Sequence, residues 1–345
     1  MNQADSDLAA TKDVYLHVGP VKTGSTYLQD LLWRNRDDLA RQGYHHPGEH
    51  PNEMWLATTD LQDYEFIHFE MPEAAGLWAQ VCERVAAHDG TSLISHEVLG
   101  WSTERHVAKV VDSLAPARLH VVVMARSLAP ILASLWQELI KMVYPDTSLP
   151  DFLVAERETG SPWTDASLIV NRWLAHVPPT RIHVVTVPPR GAEPTELLSR
   201  FSEALGIETT AWHTDGIATN RSLDRVQAEL FRRLNLAASP SLDVRAQRRL
   251  LNGTLLPLMR SADRSREIRL PASARGWIED ETSRRIDALR HSGVHIHGDL
   301  ADLLTTDEAW EDTPLRVRDE DVLEEALQLL MSSHPDLMPN RLDIV

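Results

Sequence analysis

Lys22, Thr23, Gly24, Ser25 and Thr26, with Gly19 five residues ahead of Gly24, make up the densest group of chemistry-bearing residues in the chain. Glycine turns release backbone N–H groups, short hydroxyl side chains add donors, and one ammonium adds charge. Together these are the parts of an anion site. The pattern is not that of a nucleoside-triphosphate loop of the Gly-x-x-x-x-Gly-Lys-Ser/Thr kind. Gly19 and Gly24 have the spacing, but Ser25 stands where the lysine belongs, and Lys22 precedes the second glycine by two residues.

Two more groups could join that chemistry. Arg126 ends the apolar run Arg118–Ala125, and Ser134 follows it by eight residues. An arginine fork pairs with phosphate oxygens and keeps its charge, and a serine two turns into the next helix can converge on the same oxygens if the turn folds back. Taken singly, Arg126 could be a helix-end ion pair and Ser134 an incidental helical serine. His96 and Glu97 follow the short apolar stretch Thr91–Ser95, where open parallel sheets place reactive groups. Either can accept a proton near neutral pH, and either could instead cap the turn that follows.

The histidines elsewhere point less clearly to chemistry. His45, His46 and His50 lie in a Pro/Gly-rich stretch that holds metal ligands poorly, so a solvated or acceptor-facing loop is expected. Val294–Asp299 alternates so that His295, His297 and Asp299 share one side, which suits a surface strand or extended loop.

The elements that must position these groups follow from periodicity. Val14–Val18 is an apolar run that predicts a buried strand, and Tyr27, Leu28, Leu31, Leu32 and Leu39 predict an amphipathic helix directly after the loop. Helices are expected over 73–89, 103–115, 165–177 and 195–205, with strands at 91–95, 118–125 and 181–187 between them. Such alternation predicts an α/β fold with a parallel sheet flanked by helices. From residue 219 onward the pattern is mainly helical, at Ser222–Leu236, 241–251, 275–291 and 319–331. The expected organisation is a polar tail at 1–12, an α/β core at 13–218, a helical portion of the same domain at 219–332 and a tail at 333–345.

A net charge of −17 over 345 residues argues against a general nucleic-acid or anionic-membrane binder, while leaving room for a local basic pocket. The single cysteine, Cys82, allows no internal disulfide and no cysteine metal cluster. No membrane-spanning run and no signal-type leader is read, so a cytoplasmic protein is expected. The acidic helices after residue 219 could pack on the core or form a homodimer face.

The order Lys22-Thr23-Gly24-Ser25-Thr26 resembles the 5′-phosphosulfate loop of sulfotransferases that use 3′-phosphoadenosine 5′-phosphosulfate (PAPS), and Arg126 with Ser134 resembles their 3′-phosphate motif. His17-Val18-Gly19-Pro20, Arg172-Trp173, Asn220-Arg221-Ser222-Leu223 and Gly298-Asp299-Leu300 are similar to the bacterial, actinobacterial-type branch of that family. The likeness runs from the first strand to about residue 305.

The resemblance implies a P-loop-type fold and transfer of a sulfuryl group to a hydroxyl or amine. Thr23, Gly24, Ser25 and Thr26 would hold the 5′-phosphosulfate, Lys22 would neutralise the leaving phosphate oxygen, and Tyr27 would stack on the adenine. Arg126 and Ser134 would grip the 3′-phosphate, with His96 or Glu97 as base and no metal required. The chain departs from the cytosolic animal enzymes in having no Arg/Lys-Lys-Gly-x-x-Gly segment, for which the basic stretch Arg260–Arg266 could substitute. The acceptor stays open among carbohydrate, lipid and other small-molecule hydroxyls. The alternatives are a kinase-like phosphotransferase, which would want Mg²⁺ and a lysine after Gly24, and a non-catalytic nucleotide-binding module.

Overall fold

The computed structural model describes residues 12–66, 71–142, 147–160, 162–193, 195–216, 222–259, 261–312 and 317–333. All but Lys12 and Ser333 of the expected tails at 1–12 and 333–345, and Asn220, Arg221 and Arg260, lie outside the described residues. The strands are β1 (Asp13–Val18), β2 (Tyr44–His45), β3 (Thr91–Ser95), β4 (Arg118–Ala125), β5 (Ile182–Thr186), β6 (Leu270–Pro271), β7 (His295–His297) and β8 (Trp310–Glu311).

Six of them form one sheet in the order β2-β3-β1-β4-β5-β7, with every neighbouring pair parallel. This is the α/β sheet the alternation predicts. β1 is central, paired with β3 on one side (His17 opposite Ser95) and β4 on the other (Val18 opposite Val123). The chain leaves β1 towards the β2–β3 edge and leaves β4 towards the β5–β7 edge. The crevice where such connections diverge is the usual ligand position in open sheets, and the loops after β1 and β4 both open onto it.

Burial on both faces explains the apolar strands. Val14, Leu16 and Val18 of β1 and Val121 and Val123 of β4 point into one core, with Val107 and Val110 of helix Glu104–Leu114 and Ile169 and Trp173 of helix Ala166–Leu174. Val122 and Met124 of β4 point the other way. They meet Leu28, Leu31 and Leu32 of helix Ser25–Arg34 and Phe201 and Leu205 of helix Glu196–Leu205. The first-loop helix is therefore anchored by its leucines, and its start is set against the end of β1.

The chain divides into two compact units, each assembled from separate stretches of sequence. One comprises Met1–Ile131, Ser161–Thr219 and Glu279–Thr305, and the other Leu132–Gly160, Asn220–Ile278 and Thr306–Val345. The first unit regains the late segment because His295–His297 pairs with β5 as an edge strand, the surface-strand option of the sequence. The second unit is mainly helical, with β6 and β8 forming a short parallel pair. Its helix Arg225–Ala238 starts with a capping box between Asp224 and Gln227, and Gln227 also bonds buried Glu325 of helix Asp319–Ser333. Among the described residues no helix is long and apolar enough to cross a membrane.

Burial strips charge from several histidines of the first unit. Desolvation pulls His17, His46 and His183 each down to about 4. In the unfolded chain they titrate near 6.5. Between these values the unfolded chain takes up protons that the fold refuses, so stability is full above pH 6.5 and is lost as pH falls. The urea midpoint should fall between pH 7.5 and pH 5, before carboxylates titrate. A flat midpoint over that range would contradict the burial of these rings.

Candidate functional site

The loop between β1 and its helix is shaped by its backbone. Lys22 has φ +63° and Gly24 φ +87°, so two residues within three adopt the left-handed conformation. Glycine does so freely, whereas a lysine is strained there and must be held. Two contacts hold the loop. The Gly19 N–H donates to the Glu97 carbonyl at 3.0 Å, and Nη1 of Arg126 donates to the Lys22 carbonyl at 2.6 Å. Thr23, fully buried, turns its hydroxyl back onto the Pro20 carbonyl at 2.7 Å.

Helix Ser25–Arg34 then begins at Gly24 with no side-chain cap and no acidic residue in its first turn. Its positive end thus carries neither a side-chain cap nor an acidic residue, the setting in which helix starts bind anions. Ser25 is buried, and Lys22 and Thr26 are half-buried. Tyr27 is half-buried against the core of the helix side of the sheet, where burial pushes its phenol up.

Arg126 stands at the end of β4, half-buried, and burial pulls its guanidinium down from the ordinary arginine value. The structure thus brings Arg126 to the Lys22 loop. Ser134 lies on helix Leu128–Lys141 and is half-buried; it belongs to the second unit.

The end of β3 supplies the third group. The His96 N–H donates to the His17 carbonyl at 3.1 Å, which continues the β1–β3 pairing past the strand end. Nδ1 of His96 accepts from the Val98 N–H at 3.2 Å, so His96 caps the turn Glu97–Trp101. Desolvation lowers His96 against the pull of Glu97. Nε2 of His96 lies 3.9 Å from Oε2 of Glu97. Burial works to raise the Glu97 carboxyl, but His96, the Gln29 amide, a backbone N–H and His17 together outweigh it and hold the group below its usual value. Glu97 is therefore an ionised acceptor at neutral pH.

Two participants were not singled out from sequence. Gln29, one turn beyond Ser25, donates from Nε2 to Oε2 of Glu97 at 2.6 Å. A glutamine among Leu28, Leu31 and Leu32 carries no signal for that partner, which lies 68 residues away. Ser95 meets fully buried His17, with Nδ1 and Oγ 2.7 Å apart. Strand alternation does place His17 on the face opposite Leu16 and Val18, so its side was legible and its partner was not. Close packing joins these pieces, because a Cβ on Gly100 would stand 3.1 Å from the Gly19 Cα. Among the described residues no group of three His, Cys, Asp or Glu side chains is arranged to hold a metal ion.

No protein-family model matches the chain, and no curated protein is similar to it. The crystal structure of a sulfotransferase from Alicyclobacillus acidocaldarius is similar at 14% identity with a TM-score of 0.40. The likeness covers 68% of this chain and 98% of that one.

The loop's two constraints separate by mutation. A Cβ on Gly19 would stand 2.5 Å from the Glu97 carbonyl oxygen, a backbone atom that cannot swing away. Gly19→Ala should cost on the order of 2 kcal/mol in urea unfolding. Lys22→Gly relieves the left-handed lysine and should stabilise the fold by about 1 kcal/mol, while removing the ammonium. Equal destabilisation by both would show that the loop backbone is not strained as described.

Proposed function

We propose that this chain is a sulfotransferase moving a sulfuryl group from PAPS to a hydroxyl or amine of a small-molecule, lipid or carbohydrate acceptor. One observation carries the reading. The Arg126 guanidinium, from the second anion motif, lies 2.6 Å from the backbone of Lys22, in the first. Two motifs about a hundred residues apart thus meet at the carboxyl ends of neighbouring strands. A donor with anionic groups at both the 5′ and 3′ positions needs two such sites side by side.

The residues present suit that donor. The uncapped helix start, the left-handed turn and the hydroxyls of Ser25 and Thr26 would hold the 5′-phosphosulfate, and Arg126 the 3′-phosphate. Tyr27, half-buried beside the loop, would stack on the adenine. PAPS supplies a sulfuryl group activated by its bond to phosphate. Glu97 takes the proton from the acceptor as the acceptor's oxygen or nitrogen bonds to sulfur. Lys22 neutralises the charge left on the phosphate oxygen when the S–O bond breaks. Glu97 serves as base in preference to His96 because the neutral His96 ring spends its one lone pair, on Nδ1, on the Val98 N–H, whereas the carboxylate is charged and hydrogen-bonded in place.

Calorimetry with 3′-phosphoadenosine 5′-phosphate (PAP, the desulfated product), AMP and ATP–Mg²⁺ tests this. Wild type should bind PAP well ahead of AMP. Arg126→Ala should lose about 100-fold in PAP affinity and distinctly less in AMP affinity, the AMP loss coming from the Lys22 loop that the guanidinium also holds. Preference for ATP–Mg²⁺ would move the function to phosphoryl transfer, and absence of nucleotide binding would overturn the reading.

A further inference from the structure

Resting on that reading, we infer that Gln29 is a positioning residue that fixes the Glu97 carboxylate to the donor-binding helix, so that base and donor are set by one rigid turn. Gln29 follows Ser25 by four residues, one helical turn from the uncapped N-terminus. Its amide reaches Oε2 of Glu97 at 2.6 Å. The Glu97 backbone carbonyl meanwhile takes the Gly19 N–H at 3.0 Å. Glu97 is thus tied to both ends of the loop, to the first residue through its backbone and to the helix through its side chain.

The tie has a chemical consequence. An amide N–H donated to a carboxylate favours its charged form and fixes which lone pairs stay open. The ionisable groups acting on Glu97 are His96 from its own turn, 3.9 Å away, and His17 from β1. Both rings are pushed towards the neutral form by burial, so a neutral donor on the helix is the direct, short contact that orients the carboxylate. Gln29 touches neither donor nor acceptor in this scheme, and acts through Glu97.

Gln29→Leu keeps the size and helical character of the residue and deletes the donor. It should lower kcat by about tenfold with KM for PAPS and PAP affinity nearly unchanged. It should also raise the Glu97 carboxyl, moving the acid limb of the kcat/KM profile up by on the order of one pH unit. Gln29→Glu, which sets a like charge against Glu97, should move that limb further in the same direction. Glu97 can be followed directly by carboxyl NMR in the PAP-bound protein, with Glu97→Gln giving the assignment, so the shift is read without turnover.

An unshifted Glu97 titration in Gln29→Leu, in a protein that binds PAP, would overturn the positioning role and leave the reaction standing. Loss of PAP affinity in step with kcat would likewise overturn it, by showing that Gln29 only supports the loop. Failure of wild type to bind PAP would remove the reaction itself, and the role with it.

Discussion

The site depends on a lysine held in a backbone conformation that lysine avoids. Lys22 sits at φ +63° two residues before Gly24, and its carbonyl is turned towards the Arg126 guanidinium. A left-handed non-glycine residue costs about 1–2 kcal/mol, so the conformation persists only where the surroundings select it. Here the Arg126 contact, the Gly19–Glu97 bond and the inward Thr23 hydroxyl all act on the same short stretch. Arg126 would have two roles under the proposed function. It fixes the loop while standing where a second anion would be met.

That arrangement requires three strands in register. β1 carries the loop, β4 carries Arg126 and β3 carries His96 and Glu97, and β1 is the strand paired with both others. The continuous apolar cores on the two faces keep these strand ends level, since a one-residue slip would turn every side chain to the wrong face. The net charge of −17 would not oppose the proposed anion site. Exposed charges beyond a Debye length are screened, and the local field at the loop comes from Lys22, Arg126 and the helix start.

Much of this was legible before any coordinates. The run Val121–Val123 demands a strand buried on both faces, and the leucines after Thr26 demand a helix with one apolar stripe. Chain order then puts the loop, His96–Glu97 and Arg126 at carboxyl strand ends. Contacts that depend on pairing across long separations were not legible. Tyr44–His45 is a two-residue strand inside a stretch that reads as loop, because its partner on β3 and not its own pattern makes it one. The helices Glu53–Leu61 and Leu149–Thr159 carry weak periodicity, so the sequence does not mark them. The division into units was hidden for a related reason, since His295–His297 joins β5 only after the chain has built most of another unit.

The placement of histidines around Glu97 explains why a buried carboxylate can remain charged there. Moving an ionised carboxylate out of water is costly unless hydrogen bonds or opposite charge offset it. A protonated His17 or His96 would offset it strongly, but would form a neutralised pair that accepts a further proton poorly. Burial of both rings prevents that outcome, pulling His17 to about 4 and lowering His96 as well. The Gln29 amide, a neutral donor 2.6 Å from Oε2, adds to the pull of His96 on the carboxylate. The full positive charges stay with Lys22 and Arg126, on the side where the scheme places the leaving phosphate and its partner anion.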